Sequence, residues 1–199
     1  MEARCEDAFE VVFVCTGNRA RSALAEALFR RHSIGIRTAV SSVGTLDVGP
    51  LPALPHAVDA GRRLGVDLTE HRARSLRHAD LAAADLVLGF EQSHVSAAVV
   101  DGHAEPARAF LLGELVTLLD EVPWERDSIA RARAAIVDAD SRRVRYRPDR
   151  AAPVVRDPLG KPAKVMFRTA AEIDVLVRRL VLGLFGERSH SSAPASTLR

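Results

Sequence analysis

The chain alternates short apolar runs with amphipathic stretches, and this alternation limits its possible folds more than any other feature. Runs rich in β-branched residues, each followed by apolar residues at helical spacing, favour a parallel sheet with helices on both faces. In such sheets ligands bind at the carboxyl ends of the strands. We predict strands at residues 9–14, 38–43, 85–90 and 107–112, and helices at 22–31, 52–64, 91–100, 114–121, 124–140 and 163–184.

Composition favours an ordinary globular chain. Its 199 residues, 47% hydrophobic and 27% charged, suffice for one buried core. A net charge of +2 is too small to call for nucleic acid as a partner. We expect no membrane insertion, because no apolar run approaches the length of about 20 residues that spans a bilayer. Acidic residues stand where a signal peptide would be basic, so we expect a cytoplasmic location.

The cysteines and histidines favour a free thiol over a disulfide scaffold or a metal site. The two cysteines, Cys5 and Cys15, are too few for a scaffold, and the partly extended chain between them should hold their thiols apart. The seven histidines are scattered, and neither cysteine has a partner at metal-ligand spacing. We therefore expect no metal and no cofactor.

Residues 15–22, with the sequence CTGNRARS, combine a cysteine and an arginine in a loop between a strand and a helix. Gly17 and Asn18 permit unusual backbone angles in this loop. Backbone N–H groups at a helix start and a planar guanidinium suit a phosphate dianion, and the same positive potential favours a thiolate at Cys15. Taken singly, Cys15 is more often a small buried residue and Arg21 a solvated one. Together with Ser22 and the flanking strand and helix, they favour an anion site with a nucleophile.

Residues 14–22, VCTGNRARS, resemble the phosphate-binding loop of the low-molecular-weight protein tyrosine phosphatases. The resemblance extends from about residue 9 to residue 185 and implies an α/β, flavodoxin-like fold, a three-layer sandwich with a four-stranded parallel sheet. Further stretches match landmarks of that family in order: SSVGT at 41–45, GVDLTEHRARSL at 65–76, DLVLGFEQSH at 85–94, LLGEL at 111–115 and RDPLG at 156–160.

The resemblance implies a role for each matching residue. Cys15 would form a phosphocysteine intermediate, Arg21 would hold the phosphate oxygens, and Asp157 would act as general acid and then as base. Asn18 would lock the loop in a left-handed bend, braced by Ser42 and His71, and Ser22 would hydrogen-bond the thiolate. The substrate-binding residues implied in this way are Thr16, Gly17, Asn18, Arg19, Ala20 and Ser22.

The implied function is a cysteine-dependent phosphatase that hydrolyses phosphate monoesters, with protein phosphotyrosine as the first expectation. Its partners would be a phosphorylated protein or a small phosphate ester. Two alternatives stay open: a thiol-dependent arsenate reductase, which shares this loop, and a non-catalytic phosphate-binding regulatory module. The sequence does not specify an oligomeric state.

Several positions depart from the family pattern and bear on the substrate. Ala20 replaces a second loop cysteine, so the adjacent-thiol redox switch is absent. Aromatic residues that often wall the pocket are replaced by Leu159 and Gly160, and the loop after Ser42 has no aromatic residue. Arg19 stands where members acting on phosphoarginine carry a small hydroxyl residue, and its charge should repel that guanidinium substrate.

An extra segment at about 122–152 interrupts the resemblance. We expect one phosphatase domain over residues 1–187 that contains this insert, followed by a disordered tail at 188–199. Residues 141–150, SRRVRYRPDR, hold five arginines. Residues 142–150 form either a solvated basic loop or a lid or docking strip beside the site ahead of Asp157.

Overall fold

The computed structural model describes residues 8–120, 128–143 and 154–186. Within them, four parallel strands form one sheet in the order β2-β1-β3-β4. This confirms the predicted α/β fold and its four-stranded parallel sheet. The strands are β1 (Phe9–Cys15), β2 (Thr38–Gly44), β3 (Leu86–Gly89) and β4 (Ala109–Leu111), and the helices are α1 (Arg21–His32), α2 (Pro55–Arg63), α3 (Gln92–Val100), α4 (Leu112–Asp120), α5 (Ile129–Arg143) and α6 (Ala163–Phe185).

The two faces of the sheet are covered unequally. Phe9, Val11 and Phe13 of β1 point to one face and join a core shared with α1, α2, α4, α5 and α6. Val12 and Val14 point to the other face and pack in a smaller cluster that includes α3. Alternate side chains of a strand point to opposite faces, so a continuous apolar run in β1 fits its burial on both sides.

The predicted elements differ from the structure mainly at their ends. Helix α2 begins at Pro55 instead of residue 52, because Pro52 forms an antiparallel bridge with Arg72. Pro55 suits the first helical turn, where its missing N–H leaves no bond unmade. A short 3₁₀ turn, Pro106–Arg108, delays β4 to Ala109.

Helix α5 lies in the predicted insert and packs at the amino ends of the strands. Arg133 pairs with Asp85 at 2.7 Å (Nε to Oδ1), just before β3. Arg143 donates to the carbonyl of Ala109 at 2.8 Å and stacks on a β4 ring. The seven residues of β1 span about 20 Å, so α5 is remote from Cys15 at the opposite end.

Two arginines of the basic strip therefore have structural partners far from the predicted site. Arg142 bonds Asp138 at 2.7 Å (Nε to Oδ2) and the carbonyl of Leu118 at 2.9 Å, and Arg143 bonds β4. Residues 144–153, which include the rest of the strip, and the predicted tail at 188–199 lie outside the described residues. Within the described ranges no helix is long and apolar enough to cross a membrane.

Candidate active site

Cys15 ends β1, which has a neighbouring strand on each side, so it lies at the middle of the sheet's carboxyl edge. The loop that follows is hydrogen-bonded to the residues after β2: Thr45 N–H donates to the carbonyl of Cys15 at 2.9 Å, and Leu46 N–H to that of Thr16 at 2.8 Å. A Cβ atom on Gly44 would lie 2.9 Å from the carbonyl oxygen of Thr16. Glycine at the end of β2 therefore allows the loop to approach closely.

Asn18 fixes the shape of this loop. It has a φ of 50°, in the left-handed region, and is fully buried. Its Nδ2 donates to the hydroxyl oxygens of Ser22 at 2.9 Å and Ser42 at 2.7 Å, and its Oδ1 accepts from the N–H of Arg74 at 2.8 Å. The backbone carbonyl of Asn18 lies 2.6 Å from Nε2 of His71, and the histidine is the donor because a carbonyl only accepts. Both ends of the amide are satisfied, which holds the loop in one conformation.

Cys15 is buried beside the start of α1. Its Sγ lies 2.9 Å from the hydroxyl oxygen of Ser22. That oxygen also accepts a hydrogen bond from Asn18, and its own proton can be donated to the sulfur, which an ionised Cys15 could only accept. The sulfur therefore lies next to a hydroxyl group and close to the N-terminal end of a helix, where the helix dipole is positive.

Arg21 is also buried, and it joins two carboxylates that come from distant parts of the chain. Its Nη1 forms a short ion pair with Glu91, which precedes α3, and its Nη2 lies 3.1 Å from Oδ2 of Asp157. The other carboxylate oxygen of Asp157 accepts from the N–H of Leu159 at 3.1 Å. The hydrogen bond from Arg21 lowers the pKa of Glu91 and keeps that side chain ionised.

A buried thiol, a buried arginine and an exposed aspartate thus meet at the carboxyl edge of the sheet. The family model described as "Low molecular weight phosphotyrosine protein phosphatase" matches residues 10–125. The chain belongs to this family. It is therefore a phosphatase of the cysteine-dependent type, which works through a phosphocysteine.

Curated relatives match about half of the chain or less, and a solved structure matches most of it. A relative from Ralstonia nicotianae, named "Probable low molecular weight protein-tyrosine-phosphatase", is 32% identical over 53% of this chain and 71% of its own. A protein-arginine-phosphatase from Bacillus subtilis is 34% identical over 54% of this chain and 73% of its own. Arsenate reductase 1 of Staphylococcus epidermidis is 33% identical over 39% of this chain and 56% of its own. The crystal structure of the low molecular weight protein tyrosine phosphatase from T. tengcongensis has a TM-score of 0.64 and 29% identity, covering 87% of this chain and 98% of that one.

In this phosphatase, His94 is a site residue that the sequence did not reveal. Its Nδ1 accepts from the N–H of Glu91 at 3.1 Å, so Nε2 carries the proton and donates to the hydroxyl of Thr16 at 3.0 Å. Burial lowers the pKa of His94, and the charge of Arg21 lowers it further, so the ring is neutral. The signal in the sequence was a glutamate followed three residues later by a histidine at the start of a predicted helix.

Glu26 was missed as well. Its carboxylate is buried on α1, accepts from the hydroxyl of Ser42 at 2.5 Å and pairs with Arg30 at 2.6 Å. The hydrogen bonds therefore run in one direction, from the amide of Asn18 through Ser42 to Glu26. An acidic residue among the apolar residues of a predicted helix was the available signal.

The other predicted substrate-binding residues of the loop include Gly17, Arg19 and Ala20. Of the two residues that permit unusual backbone angles, only Asn18 has a φ in the left-handed region; Gly17 does not, and a Cβ there would meet nothing within 4 Å. Arg19 is half-buried, and its Nε donates to the carbonyl of Pro52 at 2.8 Å. Ala20 is buried and directly precedes α1.

No metal cluster is evident in the described part of the chain: no group of three or more His, Cys, Asp or Glu residues there could hold an ion. Cys5 lies outside that part.

Proposed function

We propose that this phosphatase hydrolyses phosphomonoesters with Cys15 as nucleophile, Arg21 as phosphate clamp and Asp157 as general acid and base. One observation carries the assignment: the Sγ of Cys15 bonds Ser22 at 2.9 Å within the loop whose buried arginine lies 3.1 Å from the Asp157 carboxylate. Cys15 and Arg21 are close in sequence, whereas Asp157 comes from a distant part of the chain, and its contact with Arg21 supports the assignment of nucleophile, clamp and proton donor.

In the first step the thiolate attacks phosphorus and the bond to the leaving oxygen breaks. The guanidinium of Arg21 and the backbone N–H groups of residues 16–20 bind the equatorial oxygens, where charge redistributes in the transition state. Asp157 gives its proton to the leaving oxygen. Ser22, which donates to the sulfur, stabilises the thiolate until it reacts.

In the second step water attacks the phosphocysteine. Asp157, now without its proton, accepts one from the water, and inorganic phosphate and the free thiolate are released. His94 and Thr16 support the clamp, because the histidine donates to a hydroxyl that also lies 3.4 Å from Nη2 of Arg21.

Protein phosphotyrosine is the proposed substrate class. Leu46, Leu51 and Leu159 are exposed on the segments that follow β2 and Asp157, and their apolar side chains suit an aryl group. The cation of Arg19 disfavours phosphoarginine by charge repulsion, although the Bacillus subtilis relative is named for that activity. A reducing compartment such as the cytoplasm suits a thiolate nucleophile, and we propose that location.

Arsenate reduction is the second candidate, favoured by the shared loop and by the Staphylococcus epidermidis relative. As found in the family, that chemistry passes oxidation through further cysteines, and Cys5 is the chain's one other cysteine. A non-catalytic module would have no use for a carboxylate on the clamp, so the Asp157 to Arg21 pair argues for catalysis.

Steady-state hydrolysis of p-nitrophenyl phosphate and of a phosphotyrosine peptide tests the proposal. We expect Cys15→Ser to abolish turnover while vanadate still binds, and Cys5→Ser, the matched control, to retain it. Equal turnover by both variants would refute the assigned nucleophile. Arsenate reduction coupled to small thiols, at a rate above phosphatase turnover, would favour the second candidate.

A further inference from the structure

The catalytic loop carries two arginines two residues apart, and their partners differ. Arg21 is buried and lies against two carboxylates, Glu91 and Asp157. Arg19 bonds the neutral carbonyl of Pro52 through Nε, and within the described residues no carboxylate lies within 4 Å of its guanidinium. The charge of Arg21 is therefore more than balanced, whereas that of Arg19 is not.

The position of Arg19 is set by the segment that borders the loop. Residues 45–54 are tied to the loop at both ends: Thr45 N–H donates to Cys15 at one end, and Leu54 N–H donates to the carbonyl of Arg19 at 2.8 Å at the other. The side-chain bond from Arg19 to Pro52 is a second tie at that end. Between the ties the segment exposes Leu51. Arg19 thus lies where the end of segment 45–54 is hydrogen-bonded to the phosphate-binding loop.

Its hydrogen bond fixes the direction of the guanidinium but uses one of five N–H donors. A guanidinium presents its donors as a planar fork that matches a carboxylate, and a fork already held in place loses little freedom on binding. Among the described residues no side chain accepts from the remaining donors, and the hydrogen bond to Pro52 is exposed, so these donors are accessible to a bound peptide.

We propose that Arg19 binds a carboxylate next to the phosphorylated residue, so that the enzyme prefers phosphotyrosine in an acidic segment. This rests on the proposed function, which it narrows to a class of peptide. A residue that only raised the general attraction for phosphate would not distinguish acidic from neutral neighbours. If Arg19 binds a neighbouring carboxylate, its loss should affect acidic substrates most; if it only attracts phosphate, its loss should affect acidic and neutral substrates equally.

The test compares two phosphotyrosine peptides of otherwise equal sequence. The acidic peptide has Asp and Glu around the phosphotyrosine, and the neutral peptide has Asn and Gln at the same positions. We expect the wild type to favour the acidic peptide about tenfold in kcat/KM, close to the lower limit for hydrogen bonds to charged groups. In Arg19→Gln this preference should fall to less than about twofold. Arg31→Gln is the matched control, because Arg31 is exposed near the other end of α1, about 15 Å along the helix from Arg21. It should retain the wild-type preference.

Two results would overturn the proposal: no preference in the wild type, or an equal loss for both peptides in Arg19→Gln. Dissociation constants of the same peptides, measured on Cys15→Ser with and without Arg19→Gln, separate this inference from the proposed function. If the wild type hydrolyses neither peptide, the proposed function fails. The ratio of dissociation constants then still decides the role of Arg19, and salt should reduce that ratio.

Discussion

Residues 15–22, which hold the proposed nucleophile, are mostly buried, whereas residues 154–162, which carry Asp157, are mostly exposed. The loop keeps its shape through the side chain of Asn18, which is hydrogen-bonded at both ends of its amide. The acid segment is anchored by the buried Val155 and reaches the site through the ion pair of Asp157 with Arg21.

This difference indicates how the two regions divide the work. The hydrogen bonds that shape the loop are made within the protein, so we expect the loop to be formed before the proposed anion binds. Asp157 is held by the charge of the same arginine that would receive the phosphate. We therefore expect a bound dianion to compete with Asp157 for Nη2 of Arg21 and to change the position of the acid segment more than that of the loop.

Arg21→Lys should have a large effect, because it removes a group that joins the two regions through its ion pair with Asp157. A lysine ammonium cannot reproduce a planar fork, so we expect kcat/KM for phenyl phosphate to fall by about 10²- to 10³-fold, the range for losing one donor to transition-state charge. Arg31→Lys, near the other end of α1, should stay within about twofold of wild type. A loss below tenfold for Arg21→Lys would mean that the loop amides alone bind the phosphate.

A comparison of two glycines tests whether the loop is fixed by its neighbours. Gly44→Ala places a Cβ 2.9 Å from the Thr16 carbonyl and 3.0 Å from the Asn18 nitrogen, and we expect it to lower the free energy of unfolding by about 1–3 kcal/mol. Gly17→Ala meets nothing within 4 Å and should leave that free energy within about 1 kcal/mol of wild type. Urea unfolding measures both, and equal losses would contradict the close approach of β2 to the loop.

His94 should have the smallest effect, visible in the pH dependence of stability. Burial lowers its pKa from 6.5, so the unfolded chain takes up this proton before the folded one as the pH falls. Stability should therefore be highest above about pH 7 and decline below about pH 6.5. In His94→Gln the difference in unfolding free energy between about pH 7.5 and pH 5.5 should shrink, because the group that takes up the proton is gone.

The control for this measurement is His78→Gln, since the His78 side chain is 78% exposed. It should keep the wild-type pH dependence. The range stops at about pH 5.5 so that Glu91, whose pKa is lowered from 4.5, stays ionised throughout. An unchanged pH dependence in His94→Gln would contradict a lowered pKa of His94, and with it the neutral ring that donates to Thr16.

The sheet could be predicted from sequence because its signals are local. The apolar run of β1 and the stripe Ile173, Leu176, Val177, Leu180 and Leu184 of α6 are periodic over a few residues, and all five stripe residues are buried. The start of α2 was misplaced because Pro52 is paired with Arg72, a contact across 20 positions that no local pattern reveals.

The site was only partly predictable for the same reason. The cysteine and arginine of the loop are neighbours in sequence, and a resemblance pointed to Asp157. The pairing of Arg21 with Glu91 spans 70 positions, and it depends on β3 lying next to β1. The position of α5 at the amino ends of the strands could not be read from its arginines, because a basic stretch suits a solvated face as well as a docking strip.

The division of work between loop and acid segment is tested most directly by the rate of phosphoenzyme formation before steady state. The experiment compares the wild type with Asp157→Asn on two substrates, p-nitrophenyl phosphate with a good leaving group and an alkyl phosphate with a poor one. If Asp157 is the proton donor, the variant should lose about 10²- to 10⁴-fold on the poor leaving group and much less on nitrophenolate, which departs with little help. Equal losses on both substrates, or no loss on either, would contradict the account and would leave Asp157 as a structural partner of Arg21, with Asp47 and Asp149 the next residues to test as the acid.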